Sequence, residues 1–179
     1  MNMPPSFNSP IRFLLVFLLI MAAVSPAPAG RRSLKRYDSP DKSLMAIVMT
    51  VNDEQLGPES NVELRTAAGA LIGLKRFTSK DHVHGFGVIK AKWSLDSRFF
   101  VFSTVASGGR EAGKFPTFFF SRIDKRIHPL DPAVGKWITD PEFYLQEDDV
   151  ITVTVYDTLA NGVVADTLSR TVHLSRVGK

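Results

Sequence analysis

Short apolar runs separated by turn-forming residues constrain the fold of this chain more than any other feature. Residues 44–49 and 99–102 are continuously apolar, which is typical of strands covered on both faces. Residues 150–156 alternate between apolar and mostly threonine side chains, so one face of that strand should be half exposed. After the first 30 residues no segment has a sustained helical period. The chain is therefore predicted to be all-β, with further strands near 61–66, 70–77, 86–92, 115–122 and 167–174.

Three consecutive phenylalanines, Phe118, Phe119 and Phe120, predict whether one or both faces of their strand are covered. Successive side chains of a strand point to opposite faces, so Phe118 and Phe120 should face one way and Phe119 the other. Both faces of this strand then need cover. The strand is expected to be central in its sheet, and the alternative is an aromatic side chain exposed for a ligand or partner.

A phrase of eight residues nearly occurs twice. Lys92–Phe99 reads Lys-Trp-Ser-Leu-Asp-Ser-Arg-Phe, and 44 residues later Lys136–Phe143 reads Lys-Trp-Ile-Thr-Asp-Pro-Glu-Phe. The two copies contain both tryptophans of the chain, and each leads towards a strongly β-forming run. The repeated residues are interpreted as turn and core residues of a β-sheet domain: Trp93, Asp96, Trp137 and Asp140.

The first copy resembles the repeat of the bacterial TolB protein and its β-propeller relatives, which typically reads Trp-Ser-Pro-Asp-Gly before an apolar strand. Residues 93–103 resemble this motif, with Leu95 and Ser97 in place of the usual Pro and Gly. Residues 39–48 resemble it without the tryptophan. The resemblance implies that the Asp organises the turn entering the next strand and that the aromatic residue packs between neighbouring sheets.

The length of the chain limits which propeller-like folds are possible. A closed propeller typically needs at least four blades of about 40–50 residues, whereas about 150 residues have room for about three. Two arrangements remain, each with about 9–11 short strands. One is an antiparallel β-sandwich, which the sequence favours, and the other is an open propeller-like meander.

The first 29 residues are predicted to be a helical secretory signal. Ile11–Val24 is apolar after Arg12, and Ala27-Pro28-Ala29 has the small residues that signal peptidase accepts. The apolar run of about 14 residues is shorter than the roughly 20 needed to span a bilayer. A retained anchor is the alternative, because basic residues follow the run. The predicted divisions are a signal peptide (1–29), a basic linker arm (30–40) and a single β-rich domain (41–179).

The predicted compartment is therefore the periplasm or the extracellular space, with no integral membrane span once the signal is removed. The formal net charge of +4 does not indicate nucleic-acid binding. From Tyr37 onward there are 17 Lys and Arg against 18 Asp and Glu, so the basic charge lies in the leader and the arm. A domain with balanced charge and no basic stripe is not expected to bind nucleic acid.

His82 and His84 are the closest pair of histidines and are weak candidates for metal binding. On an extended segment they would share a face and could reach one metal ion, with a third ligand such as Asp81 or His128. The sequence favours the other interpretation, a polar loop that enters the strand at Phe86. Further weak metal candidates are the carboxylates of a predicted hairpin turn: Glu147, Asp148 and Asp149.

Two classes of function follow from these residues. The chain has neither a Gly-x-Ser-x-Gly nor a His-Glu-x-x-His motif, and no catalytic residue or cofactor is predicted. The favoured class is a non-catalytic extracytoplasmic module that binds a protein or a cell-envelope component through sheet edges or an aromatic patch. The alternative is a secreted hydrolase or metal-dependent enzyme with a site built from loops, using His82, His84 and the carboxylates of 140–149.

Overall fold

The computed structural model describes residues 31–53, 57–109, 111–147, 149–158 and 164–177, which contain eleven strands in three antiparallel sheets. The first sheet contains β1 (Arg31–Asp38), β2 (Leu44–Asp53), β3 (Gly57–Thr66) and β4 (Leu71–Arg76). The second contains β5 (Phe86–Trp93), β6 (Phe99–Ala106), β7 (Thr117–Ser121) and β8 (Arg126–Pro129). A short helix, α1 (Asp131–Val134), leads to the third, which contains β9 (Ile138–Leu145), β10 (Val150–Thr158) and β11 (Val164–His173).

Each sheet is a meander, because strands that follow each other in the chain are neighbours in the sheet. The first strands of the sheets lie close together. Trp93 Nε1 in β5 donates a hydrogen bond to the carbonyl of Tyr37 in β1 at 2.9 Å, and Lys90 in β5 forms an ion pair with Glu142 in β9. Stacked meander sheets whose first strands meet have the arrangement of propeller blades. The fold is therefore all-β and follows the open, propeller-like arrangement rather than the favoured sandwich.

The second sheet is the middle layer and contributes to both hydrophobic cores. Phe100, Phe102 and Phe120 pack against the first sheet. On the opposite face, Phe99 and Phe119 pack against the third sheet. β7 lies between β6 and β8, so the prediction that its phenylalanines alternate between two covered faces is confirmed. Burial of each phenylalanine stabilises the fold by about 2–3 kcal/mol, which makes this sheet the main source of apolar stabilisation.

The strand at 44–49 does not have the two covered faces that its apolar run predicts. Leu44, Ala46 and Val48 are buried, whereas Met45, Ile47 and Met49 remain half exposed. The prediction fails because the first sheet is an outer layer with a core on one side only. In β10, by contrast, the predicted alternation is confirmed: 151, 153 and 155 are buried, and 152 and 154 are half exposed.

The basic segment that was expected to be a linker arm is a strand of the first sheet. β1 pairs with β2 over eight residues, from Arg31 opposite Asn52 to Asp38 opposite Met45. Tyr37 is the one apolar contact that this strand makes with the core, where its ring packs against Phe100. Charged side chains hide the strand in the sequence, since backbone hydrogen bonds to β2 do not depend on them.

Two further strands carry no clear signal in the sequence. β8 is only four residues long and ends at Pro129, which fits the edge position that it occupies. β9 contains Asp140 and Pro141, and its pairing with β10 is irregular there. Turn-forming residues inside a strand thus concealed it.

The predicted signal peptide lies outside the described residues. Within the ranges that are described, no helix combines the length and the hydropathy needed to cross a bilayer.

Candidate functional site

The turn between β5 and β6 is built by Ser94 and Asp96. The Ser94 hydroxyl donates to Asp96 Oδ1 at 2.6 Å and accepts the backbone N–H of Phe99 at 3.0 Å. Asp96 Oδ1 also accepts the N–H of Arg98 at 3.0 Å. Ser97 has a φ of +62°, a conformation that favours glycine. The interpretation of Asp96 as a turn residue is confirmed. Burial opposes ionisation of Asp96, but these hydrogen bonds outweigh it and lower the pKa of the carboxyl group.

The turn between β1 and β2 repeats this geometry. Ser39 donates to Asp41 Oδ1 at 2.7 Å and accepts the N–H of Leu44 at 3.0 Å, while Lys42 has a φ of +60°. The two turns are also in contact, because the N–H of Asp41 donates to Ser97 Oγ at 3.0 Å. The hydrogen bond from Ser39, followed by that from Arg122, lowers the pKa of Asp41. This row of turns joins the first two sheets.

A third turn of the same kind lies in the loop between β4 and β5, and sequence reasoning did not identify it. Ser79 Oγ lies 2.8 Å from Asp81 Oδ1, Asp81 accepts the N–H of Val83, and the N–H of His84 donates to Ser79 Oγ. His82 is the residue with positive φ, at +56°. The spacing Ser-x-Asp, shared with Ser39-x-Asp41 and Ser94-x-Asp96, was the signal that could have revealed it.

This turn places the two predicted metal-binding histidines beside different carboxylates. His82 Nδ1 lies 3.5 Å from Glu59 Oε2, whereas His84 Nδ1 contacts Asp81 Oδ2. His128, the other possible third ligand, lies in β8 and contacts Asp124 at 2.7 Å. Among the described residues no group of three or more His, Asp and Glu side chains is placed to hold a metal ion. The segment fits the favoured interpretation, a polar loop that enters the strand at Phe86.

Glu59 is the most buried carboxylate of the described chain, with 1% of its surface exposed. Its oxygens accept hydrogen bonds from the N–H of Ser79 (2.8 Å), the hydroxyl of Ser79 (2.7 Å), the N–H of Gly85 (2.8 Å) and the hydroxyl of Ser107 (2.9 Å). Burial opposes ionisation of Glu59, but these four donors outweigh it and lower its pKa. We call Glu59 and the three residues that donate to it, Ser79, Gly85 and Ser107, the Glu59 network.

The Glu59 network requires glycine at position 85. A Cβ there would lie 2.6 Å from Glu59 Oε1 and 2.1 Å from the carbonyl oxygen of Phe77. The network ties β3 to the loop that precedes β5 and to the turn that follows β6. Its donors come from positions 20 to 48 residues away, so it holds the first two sheets together at this end.

The carboxylates near 140–149 are distributed over separate contacts. Asp140 accepts the N–H of Glu142 at 2.8 Å and forms a turn inside β9, and Glu142 pairs with Lys90. Glu147 is exposed in the turn between β9 and β10, and Asp148 lies outside the described residues. The predicted hairpin at this position is confirmed by the pairing of β9 with β10.

Asp149 differs from its neighbours because it is buried at this turn. It accepts a hydrogen bond from the N–H of Ser175 at 3.0 Å, and its other oxygen contacts His173 Nδ1 at 2.9 Å. Burial opposes ionisation, but the hydrogen bonds from Ser175 and His173 lower the pKa of Asp149. His173 is half buried against this carboxylate.

The two tryptophans of the repeated phrase occupy different environments. Trp93 is buried and its ring packs against Phe100, as the interpretation of core residues requires. Trp137 is 55% exposed and lies before β9, with Lys114 Nζ 4.0 Å above its ring. The interpretation of Trp137 as a core residue is therefore wrong. In the second copy the strand begins after the tryptophan, whereas in the first copy the tryptophan ends the strand.

A groove of about 370 Å³ lies between β4 and the second sheet, and aromatic side chains form its floor. Phe77 and Phe118 pack with their ring centroids 5.1 Å apart. Lys75 Nζ lies over both rings, at 5.7 Å from Phe77 and 5.3 Å from Phe118. The edges of the groove are polar and include Ser79 and His84. One side chain of the phenylalanine run thus reaches a surface groove, while the other two are buried.

Several exposed apolar side chains lie on the outer face of the first sheet. Leu34, which is 68% exposed, lies opposite Met49, and Ile47 follows along β2 on the same face. Across the sheet, Leu74 lies opposite Glu63, which pairs with Ile47, and Leu71 lies opposite Arg65. We call this surface the outer face. Apolar residues from β1, β2 and β4 therefore share it.

Comparisons with known proteins identify no family for this chain. The chain matches no protein-family model, and no curated protein matches it. One of the similar solved structures is the β-propeller domain of the trilobed protease from Pyrococcus furiosus, which is described as having an open velcro topology. The identity is 12% and the TM-score 0.36, over 78% of this chain and 43% of that one, so this chain spans less than half its length. The open, propeller-like assignment rests on the strand order and contacts of this chain itself.

Proposed function

We propose that this protein is a non-catalytic extracytoplasmic module that binds a protein or a cell-envelope component through the outer face. The observation that carries this proposal is the exposure of three leucines, Leu34, Leu71 and Leu74, on a sheet face that packs against neither hydrophobic core. Large exposed apolar surfaces on a soluble protein usually mark a binding site. Four strands with about 4.8 Å spacing and about eight residues of 3.3 Å give a whole face of roughly 400 Å², on which polar side chains of β3 lie between the apolar side chains of β2 and β4.

The charges on the outer face indicate the chemistry of the partner. Arg36 pairs with Asp38, and Arg65 pairs with Glu63. Two further arginines lie on this face without an ion pair to any described residue: Arg32 and Arg76. A partner with an apolar patch flanked by carboxylates would match this surface, because opposite charges at an interface favour association and exclude wrong partners.

A photocrosslinking amino acid at position 34 tests the proposal. The modified protein is expressed in its own cells, irradiated, and the captured partner is identified. Position 123 is the matched control, since Ile123 is 67% exposed but lies in the turn between β7 and β8. We expect a partner that is captured from position 34, is absent from position 123, and is lost when Leu74→Glu is added. Equal capture from both positions, or capture that survives Leu74→Glu in a folded protein, contradicts the proposal.

The same proposal places the protein in the periplasm or outside the cell. Support comes from the apolar segment at 11–24 and from Ala27-Pro28-Ala29, after which β1 begins at Arg31. Mass spectrometry of the isolated protein should find a mature N-terminus at Gly30. A full-length chain in the cytoplasmic fraction would contradict this location.

The Ser-x-Asp turns also support a relationship to TolB-type repeats. In that motif a glycine follows the aspartate, and the residues at this place here are Lys42 and Ser97, both with positive φ. Pro40 stands where the motif has its proline. Because glycine adopts positive φ without strain, Lys42→Gly should raise the free energy of unfolding by about 0.5–1 kcal/mol in urea titrations. A loss of stability would show that this turn is not equivalent to the TolB-type turn.

A further inference from the structure

Among the described residues, the third sheet has one strand fewer than the other two. The first and second sheets each have four strands, and β4 and β8 are the last strand of each meander. In the described part of the third sheet β11 is the last of three strands and pairs with β10 on one side only. The other side of β11 is a sheet edge at the position where the first two sheets have a fourth strand.

The edge of β11 has few of the features that usually prevent strands from pairing. Natural edge strands are protected by charged side chains, above all lysines, and by prolines, bulges or a covering loop. Residues 166–173 read Asp-Thr-Leu-Ser-Arg-Thr-Val-His, with no lysine and no proline, and their pairing with β10 is regular. Asp166 and Arg170 are exposed, and neither forms an ion pair with a described residue. A strand of this kind can accept another strand.

We propose that β11 pairs in antiparallel fashion with β11 of a second copy of the chain, around a two-fold axis at Leu168. This inference concerns a different surface from the outer face and goes beyond the proposed function. The pairing would join two three-stranded sheets into one of six strands. Two-fold symmetry makes such an interface self-complementary, so every contact occurs twice.

The charges of β11 select this register. When Leu168 faces Leu168 of the second copy, Asp166 lies opposite Arg170 of that copy, and Arg170 lies opposite Asp166. A two-fold axis at Asp166 or at Arg170 would instead place like charges directly opposite each other, which is destabilising in antiparallel pairs. The register centred on Leu168 is thus the one that satisfies both charges.

Asp166 has a like-charged neighbour within its own chain, which favours an arginine of the second copy beside it. Asp166 lies opposite Asp157 in β10. Asp157 contacts Lys136 Nζ at 3.0 Å, but no described cation contacts Asp166. An arginine that reaches Asp166 from a second copy would neutralise this site.

The surface beside β11 has room for the approaching strand. A groove of about 540 Å³ lies at the C-terminal end of this strand, between α1 and residues 171–173. In the antiparallel arrangement the N-terminal part of the second β11 comes to this end. Pro132 and Ala133 of α1 line the opposite wall of the groove, and the cationic side chain of Arg176 also lines it.

Sedimentation equilibrium of the mature protein over a wide concentration range tests the proposal. We expect a reversible dimer. Asp166→Arg and Arg170→Asp each create two like-charge contacts and should weaken the dimer about tenfold or more, and the double variant Asp166→Arg with Arg170→Asp should restore it. Arg126→Asp, an exposed arginine on the edge strand β8, is the matched control and should leave the dimer unchanged.

Three results would overturn the proposal. A wild-type protein that stays monomeric at about 1 mM has no such interface. A dimer that both single variants leave intact uses another surface. If the double variant fails to restore a dimer that the single variants weaken, while circular dichroism shows all variants folded, the register is wrong.

Discussion

Replacing the buried carboxylate of Glu59 tests the physical account of this fold most directly. In Glu59→Gln the side-chain oxygen can stay at the Oε1 position, where three of the four donors point. The amide nitrogen then faces the N–H of Ser79, which loses its acceptor. An unsatisfied buried donor costs about 1–3 kcal/mol, and the three remaining bonds lose the strength that a charged acceptor gives them. We expect the free energy of unfolding to fall by about 2–4 kcal/mol.

Urea unfolding followed by tryptophan fluorescence measures this loss. With a slope of about 2 kcal/mol per M, which is typical for a domain of this size, the midpoint should move down by roughly 1–2 M. Glu63→Gln is the control on the same strand. Glu63 pairs with Arg65 at the surface, and such pairs contribute about 0–1 kcal/mol.

The effect of Glu59→Gln should depend on pH in a defined direction. The hydrogen bonds lower the pKa of Glu59 in the folded protein, so its ionised form stabilises the fold at pH values above the pKa of the unfolded chain. This stabilisation is lost as the pH falls through the folded pKa. The difference between wild type and Glu59→Gln should therefore be full at pH 7 and should shrink progressively below about pH 4.

Two outcomes would refute this reasoning. A change of less than about 0.5 kcal/mol at pH 7 would mean that the Glu59 network does not hold its donors in a buried position. A difference that grows as the pH falls would mean that Glu59 is protonated in the folded protein at neutral pH.

Further substitutions have expected outcomes that urea titrations can check. Trp93→Ala should lower the free energy of unfolding by about 3–5 kcal/mol because it leaves a cavity against the core. Trp137→Ala should lower it by less than about 1 kcal/mol, the value of an exposed cation–π contact. Equal losses would contradict the assigned environments. Asp96→Ala should cost about 1–2 kcal/mol through the loss of its turn hydrogen bonds, and an unchanged midpoint would remove its role in the turn. Asp149→Asn should destabilise the protein by about 1–3 kcal/mol at pH 7, and because the folded pKa is lowered this difference should shrink as the pH falls below about 4. His173→Ala should reproduce part of the Asp149→Asn loss, and no effect would show that their contact is not stabilising.

Most strands of the fold could be predicted from the sequence, because their signals are local. The runs at 99–102 and 118–120 place large apolar side chains on both sides of a strand, and a strand of this kind has to lie in the middle layer. The resemblance of 93–103 to a propeller repeat, together with the chain length, left an open meander as one of two arrangements. The choice between them could not be made from the pattern, since a sandwich and a stack of blades bury the same alternating residues.

The candidate site was less predictable than the fold. The metal hypothesis paired His82 with His84 because alternate residues of an extended segment share a face. The segment is a turn instead, with His82 at positive φ, so the two side chains reach different carboxylates. The buried position of Glu59 could not be predicted from the sequence, because all four of its hydrogen-bond donors come from residues that are distant in the chain.

The sequence by itself determined the secondary structure that depends on neighbours: the lengths of most strands, the Ser-x-Asp turns at 39–44 and 94–99, and the alternation of faces. The tertiary structure alone decided which face is covered, which edge is free and where the charges meet. β2 and β6 have similar apolar runs, but only β6 has a sheet on either side. Trp93 and Trp137 stand in the same phrase, yet one is buried and the other exposed. Hydrogen bonds within a turn depend on a few adjacent residues, whereas burial depends on which sheet stacks against which.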